Sequence, residues 1–473
     1  MIRLGYLLLS LFTMVCGGML LLFNGCGGSA SQHQKPFSGG KIQHVVIIFQ
    51  ENRTPDNLFQ DPVLISAGAD IANSGLNSSG QSIPLTAESL AVTYDLSHAH
   101  SAFVAQYDGG KMDGSNLVPM VCYVGPCPNN PQYFYVNPSE VHPYFQMAEQ
   151  YTFGDRMFQT NEGPSFPAHQ FIISGTSAPT ADSNLFVAEN PNNTVKGEVD
   201  AGCAASPTAY VSVVDPSGNE PSTIYPCTDH PSLTDQFDAQ NISWRYYTPG
   251  PNSIWTGPNA IEHMCGPNAP PPNGTACVGS DWVNHVVLYS TQNPAPILTD
   301  ISSYQLPAVS WVIPAGKNSD HAGQAATTGG PSWVAAIVNA IGNSSYWQNT
   351  AILITWDDWG GWYDHVPPPK VIDDGTSWGS GYVYGFRVPL IVISPYAKAA
   401  YISHVNHDFG SILRFTEETF GLSPVGYADL YADDLSDCFD LNQTPLVFHP
   451  INAPLTATHF LTDRTPPGDP DDD

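Results

Sequence analysis

Two apolar runs in this chain end abruptly at carboxylates, and this limits the possible folds more than any other feature. Residues 352–369 read ILITWDDWGGWYDHVPPP. Ile352, Leu353, Ile354 and Thr355 form a run too short for a helix and too apolar for a half-exposed strand, which predicts a strand covered on both faces. Asp357 and Asp358 follow at once. Adjacent carboxylates repel each other and are costly to desolvate, so a pair at the mouth of a buried strand points to a cation. Gly360 and Gly361 permit a sharp turn, and Tyr363, Asp364, His365 and three prolines continue as a stiff extended segment. Residues 44–49, HVVIIF, have the same grammar and run into Gln50, Glu51, Asn52 and Arg53. Open α/β sheets bind ligands at the carboxyl ends of their strands, so two such strands can share one metal ion. The simpler alternative, in which Glu51 and Asp358 cap helices or bond Arg53, accounts for one such end more easily than for two.

Strands are expected at 44–49, 208–214, 243–248, 308–313, 351–356 and 389–394, with helical patterns at 140–151, 331–341 and 407–421. This alternation predicts one α/β domain over residues 41–450 with a mostly parallel central sheet. Residues 179–280, poor in periodicity and rich in Pro, Asn and Cys, are expected to be a loop-rich insertion over the sheet. Residues 451–473 end in DRTPPGDPDDD and are expected to be an acidic tail, disordered from Asp463 onward.

Residues 1–26 carry one positive charge, Arg3, and then a long apolar stretch, the pattern of an export signal. Cys26 after a small residue is similar to a lipoprotein cleavage site and offers a lipid anchor. Soluble secretion and an uncleaved membrane anchor remain open. Residues 27–40 read as a flexible tether. Six of the remaining cysteines fall in local pairs, Cys122 with Cys127, Cys203 with Cys227 and Cys265 with Cys277, as suits disulfides in an oxidising compartment. Cys438 is left over. With 14 Lys+Arg against 43 Asp+Glu, the net charge of −29 excludes nucleic acid as a partner and argues against electrostatic binding to anionic lipid. Oligomeric state is not legible.

Further chemistry lies between the two carboxylate ends. LSHAHSAFVAQYDGGKMDG, from Leu96, carries His98 and His100. TNEGPSFPAHQFIISGTS, from Thr160, places Ser165 at a proline-constrained turn where a helix could begin at Ala168, with its hydroxyl beside backbone N–H groups suited to an anion. An ordinary helix-capping serine is the plain alternative.

Taken in order, Glu51-Asn52-Arg53, His98 with DGGKMDG, GPSFP, WDDWGGWYDHVPPP and FRVPLIVISPYAK resemble the bacterial phosphoesterase family of phospholipases C and acid phosphatases, within the alkaline-phosphatase-like superfamily. The resemblance spans about residues 42–422. It implies a three-layer α/β fold with helices on both faces of the sheet, and hydrolysis of phosphomonoesters or phospholipid headgroup diesters through a phosphoserine. It matches Glu51, Asn52, Asp357, Asp358 and Ser165 to ligands of one divalent metal, and Ser165 to the nucleophile. His98 and His321 match phosphate-contacting histidines, with His100 second to His98. His285, in VNHVVLYS, matches a third less closely because the family's Asn-Pro is missing, so His263 stays open. So do the roles of His404, His407 and Asp408, where relatives tend to show a DHTS-like pattern. An all-oxygen ligand set suits Ca²⁺, Mg²⁺ or Mn²⁺, and a histidine in the sphere would admit zinc or iron. Without room for the long C-terminal extension of larger phospholipases C, the chain leans toward a compact phosphatase-like enzyme. The alternative is a non-catalytic surface lipoprotein that binds glycans or phosphorylated ligands. A sulfatase-like esterase is disfavoured, because GPSFP lacks the modifiable CxPxR-like context.

Overall fold

The two carboxylate-ended runs lie side by side in one sheet. Its strands are β1 (His44–Gln50), β2 (Thr152–Phe158), β3 (Trp244–Thr248), β4 (Val286–Leu288), β5 (Val309–Val312), β6 (Thr350–Trp356), β7 (Arg387–Ile393), β8 (Tyr401–Ser403) and β9 (His407–Asp408). They pair in the order β4-β3-β5-β1-β6-β7-β2-β8, with β9 also beside β2. Only β7 runs against its neighbours. The structure, a computed structural model, describes residues 37–192, 200–370 and 384–467. The export leader with Cys26, the tether as far as residue 36 and residues 468–473 lie outside the described residues.

Every residue of β6, and every residue of β1 after His44, is buried, as a strand covered on both faces requires. One face is covered by α1 (Pro138–Gln150) and the other by α2 (Ser165–Ser174). Of the later helices, α3 (Gly329–Gly342) packs against α1, and α4 (Phe409–Phe420) packs against α2. Ring contacts identify the faces: Trp356 of β6 meets Tyr144 of α1 at 5.1 Å, while Phe49 of β1 meets Phe409 of α4 at 5.4 Å. The expected three-layer α/β arrangement is therefore present. Among the described residues, no helix is long and apolar enough to cross a membrane.

Four expectations need correction. The run at 208–214 yields Val211–Val214, a strand of a separate three-stranded antiparallel sheet rather than of the central one. Residues 179–280 are not one insertion, because β3 within them pairs with β4 and β5 in the central sheet. β2 has no counterpart among the expected strands, since Gly154 and Asp155 interrupt its apolar pattern. Asp155 is nonetheless fully buried, accepting the Asp70 N–H at 2.8 Å. Finally, residues 451–463 dock on the domain instead of forming a tail. Ile451 and Phe460 are buried, Phe460 lies 5.1 Å from Trp333 of α3, and Asp463 pairs with Lys317. The three expected disulfides are present, and Cys438 is a buried free thiol.

Candidate active site

Strand register brings the two carboxylate ends together. Gln50 lies opposite Trp356, and the Asp357 N–H donates to Gln50 O at 3.0 Å, so Glu51 and Asp357 leave the sheet side by side. Successive side chains of a strand alternate faces. Trp356 points to the α1 face, where its indole N–H donates to Asp320, and the next residue, Asp357, turns to the α2 face. The same alternation sends Glu51 there, one residue beyond Gln50.

Asn52 adopts a left-handed φ of 61°, rare for a residue with a side chain. Its N–H donates to Asp357 Oδ1 at 3.0 Å, and its side-chain Nδ2 lies 3.4 Å from His98 Nε2. Gly360 makes this packing possible, since a Cβ there would stand 2.5 Å from Asn52 O. Arg53 turns the other way: its guanidinium donates to Asp320 O at 2.8 and 2.6 Å and lies on the Trp362 ring. The alternative in which Arg53 bonds Glu51 or Asp358 is therefore not realised.

Ser165 is the first residue of α2, three residues earlier than the expected start, and is fully buried. Its hydroxyl donates to Asp358 Oδ2 at 3.4 Å, while the Gly360 N–H donates to Asp358 Oδ1 at 2.7 Å. Burial first, then the adjacent Asp357, holds the Asp358 carboxyl well above the usual carboxylate range. The segment leading to Ser165 is fixed from α4. Asp408, the N-cap of α4, accepts the Thr160 hydroxyl at 3.1 Å, and Thr160 in turn accepts the Phe409 N–H at 3.0 Å.

His98 and His321 complete the cluster, with ring centroids 5.8 Å apart. Each Nδ1 lies against a carbonyl, Leu96 O at 3.0 Å for His98 and Ala322 O at 2.6 Å for His321, which turns the opposite edge of each ring, with Nε2, away from that carbonyl. Four strands thus feed one place from their carboxyl ends: β1 through Glu51 and Asn52, β2 through Ser165, β5 through His321, and β6 through the two aspartates.

His285 is not brought into this cluster, which corrects its assignment as a phosphate contact. It immediately precedes β4, at the amino edge of the sheet, stacked 4.2 Å from Trp244 with Nδ1 bonded to Trp244 O. The strand that begins at Trp244 must be crossed, about 13 Å at ordinary strand rise, to reach the carboxyl edge. His263 is elsewhere too, bonded to Asp229 at 2.7 Å and near Asp235 at 3.3 Å, and these carboxylates raise it to about 9 against the opposing effect of burial. His100 bonds Glu189 through its backbone N–H. His404 pairs with Asp155, and His407 lies among Ser403, Asp433 and Asp437, so neither joins the aspartate pair.

Sequence reasoning missed His169. It stands one helical turn after Ser165, on the same side of α2, and its Nε2 is 3.5 Å from Glu51 Oε1 and 3.8 Å from Asp357 Oδ2. The i, i+4 spacing within SFPAH was the available signal. Glu51, His169 and Asp357 together form a fully buried group able to hold a metal ion. The fit to a cation is chemical as well as spatial. Asn52 Oδ1, Asp357 Oδ2 and His169 Nε2 are buried and have no hydrogen-bond partner among the described residues. Burial pushes His169 down to about 4, so its ring is neutral beside these carboxylates at pH 7. A divalent ion would satisfy all three atoms at once.

The phosphoesterase family model matches residues 42–423. The chain is 24% identical over 419 residues to the non-hemolytic phospholipase C of Pseudomonas aeruginosa, covering 80% of this chain and 54% of that protein. It is 24% identical over 452 residues to phospholipase C B of Mycobacterium tuberculosis, covering 85% and 78% respectively. The chain thus spans about half the length of the Pseudomonas relative. A solved protein in the alkaline phosphatase superfamily from Vibrio parahaemolyticus superposes with a TM-score of 0.35 at 11% identity, covering 84% of this chain and 72% of that one.

Proposed function

The chain belongs to the phosphoesterase family, and on that premise we propose that it is an exported, metal-dependent hydrolase of phosphate esters that works through a phosphoserine. The observation that carries the proposal is Ser165 Oγ at the start of α2, bonded to Asp358 and gathered with Glu51, Asn52 and Asp357 at the carboxyl edge of the sheet.

Glu51, Asn52, Asp357, Asp358 and Ser165 would hold one divalent ion. When bound, that ion supplies Lewis-acid stabilisation of negative charge on the phosphoryl group and lowers the pKa of the serine hydroxyl. Ser165 Oγ attacks phosphorus in line. Its hydrogen is released to solvent water, and the contact with Asp358 Oδ2 orients the oxygen. His98 and His321 orient the non-bridging oxygens through Nε2, and either imidazole, when protonated, delivers a proton to the departing alkoxide. Water then attacks the phosphoserine by the reverse geometry and restores the Ser165 hydroxyl. Bond-making by the protein is confined to the serine, so positioning and electrostatics carry the rate.

The candidate substrates are phosphomonoesters and phospholipid headgroup diesters. Phospholipase C relatives support the diester. The leader sequence and the three disulfides support export, with a lipid anchor at Cys26. A binding lipoprotein without activity predicts a gap in the catalytic set, and the gathering of Glu51, Asn52, Ser165, Asp357 and Asp358 at one edge of the sheet supports the enzymatic reading instead.

The test is release of chromogenic alcohol from a phosphate monoester and from a phosphocholine diester in parallel. The unmutated protein and Ser165→Ala are each supplied with divalent ions over acid to neutral pH. Turnover is expected to fall by about 10⁴-fold or more in Ser165→Ala, the scale seen when a nucleophile is removed. Turnover of neither ester by the unmutated protein, or equal turnover by Ser165→Ala, removes the proposal.

A further inference from the structure

Resting on the metal reading above, we infer that His169 Nε2 is a ligand of the active-site ion, which makes the site one for a first-row transition-metal dication such as zinc or iron(II) rather than for Ca²⁺ or Mg²⁺. Geometry and hydrogen bonding supply the argument. His169 is fully buried in the first turns of α2, and its Nδ1 lies 3.2 Å from Tyr246 Oη. The Tyr246 hydroxyl donates its one hydrogen to Trp255 O at 3.1 Å and accepts the Gly257 N–H at 3.3 Å. With that hydrogen on Trp255 O, His169 Nδ1 carries the ring hydrogen and donates it to Tyr246. This fixes the tautomer with the Nε2 lone pair directed at Glu51 and Asp357.

A lone pair facing two carboxylates is repulsive unless positive charge lies between them, as a proton on one carboxyl or as a metal ion, and the ion also satisfies Asn52 Oδ1. Neutral imidazole with its far N–H held by an oxygen is the form in which histidine binds metals, and the partner oxygen orients the ring. The separations agree. Two ligands about 2.1 Å from one ion at a tetrahedral or wider angle stand about 3.4–3.8 Å apart, and the observed 3.5 and 3.8 Å fall in that interval. Imidazole belongs to the ligand chemistry of zinc and iron, whereas calcium and magnesium sites are built almost wholly from oxygen. His169 thereby changes the cation preference that an all-oxygen set would give. Tyr246, on β3, is a positioning residue for that ligand.

The inference is tested on full-length protein stripped with a chelator and reloaded. X-ray absorption at the zinc edge of the unmutated protein is expected to show imidazole scattering and no sulfur shell, since sulfur would report the separate His407, Asp437 and Cys438 group. Zinc affinity, measured by competition with a chromogenic chelator, is expected to fall by more than about 100-fold in His169→Ala and by about 10-fold in Tyr246→Phe, the lower end for an orienting partner. Excess Ca²⁺ or Mg²⁺ should not displace the zinc. An all-oxygen sphere, or His169→Ala and Tyr246→Phe affinities equal to that of the unmutated protein, overturns the assignment of His169 while leaving the metal reading in place. Failure to bind any of zinc, manganese, iron, calcium or magnesium overturns both. Should His169→Ala not fold, the unmutated spectrum and Tyr246→Phe decide the matter.

Discussion

The same two loops, after β1 and after β6, build two buried carboxylate clusters that differ in how their charge is balanced. Glu51 and Asp357, at the start of the loops, meet the neutral imidazole of His169, and Asp357 Oδ2 accepts no hydrogen bond among the described residues. A few residues on, Asp56 and Asp364 are matched by cations of the chain itself. Arg387 Nε donates to both oxygens of Asp364 at 3.0 Å, and its guanidinium also reaches Asp56 at 3.4 Å and the carbonyls of Asp70 and Asp155. His365 bridges Asp56 at 2.7 Å and Asp70 at 2.9 Å. Both groups have ligand atoms spaced for a metal ion. The second is matched by Arg387 and His365, whereas in the first Asp357 Oδ2 and His169 Nε2 have no hydrogen-bond partner among the described residues, so spacing of acids alone does not distinguish a metal site from an ion-pair network. What distinguishes them is whether the fold has already supplied the opposite charge.

The sharpest way to break this comparison is a pair of isosteric changes. Asp357→Asn should lower turnover by about 10³-fold or more, because it removes an anion from the ion's site, yet leave the melting temperature of metal-free protein unchanged or raised. Asp364→Asn should cost about 3–5 kcal/mol in chemical denaturation, because it strips a partner from the fully buried Arg387. Equal destabilisation by both changes would erase the distinction. Metal removal comes next in size. Chelation should lower stability by about 3 kcal/mol relative to protein held at 100 times the ion's dissociation constant, with the loss much reduced in Asp357→Asn and intact in Asp364→Asn.

The pH dependence sharpens the second cluster. Asp56 and the neighbouring carboxylates raise His365 to about 9 in the folded state, against the opposing effect of burial, from the ordinary histidine value of about 6.5. A raised folded pKa means that the protonated form stabilises. This contribution is therefore complete below about pH 6.5 and is lost as pH rises through about 9. Thermal unfolding of the unmutated protein should lose on the order of 2 kcal/mol across that window relative to His365→Asn, whose profile should be flatter there. The smallest effect is expected at His285. Half-exposed at the opposite edge of the sheet, it should tolerate His285→Ala with a stability change of about 1 kcal/mol or less and no change in kcat/KM for either ester.

Legibility followed the reach of each interaction. The continuous apolar runs at β1 and β6 were readable because burial on both faces demands continuous hydrophobicity, and Glu51, Asn52, Asp357 and Asp358 were readable because they sit directly at the ends of those runs. β2 was hidden because Gly154 and Asp155 interrupt its pattern for tertiary reasons. A Cβ at Gly154 would stand 3.1 Å from Leu390, and Asp155 is partnered by Asp70 and His404, far away in sequence. His285 misled because a motif-like neighbourhood carries no information about which edge of the sheet it occupies.

The sequence by itself determined the α/β class, the strand ends that carry the acids, the serine at a proline-constrained turn, the disulfide pairs and the acidic net charge. These properties depend on local composition and on neighbours a few residues apart. Tertiary structure alone decided that His169 faces Glu51 and Asp357, that His285 does not join them, and that Asp56 and Asp364 are neutralised while Asp357 is not. Each of these outcomes depends on strand register and on the side of a helix that meets the sheet. A one-residue shift of β6 against β1 would turn Asp357 to the opposite face, and no local pattern encodes that register.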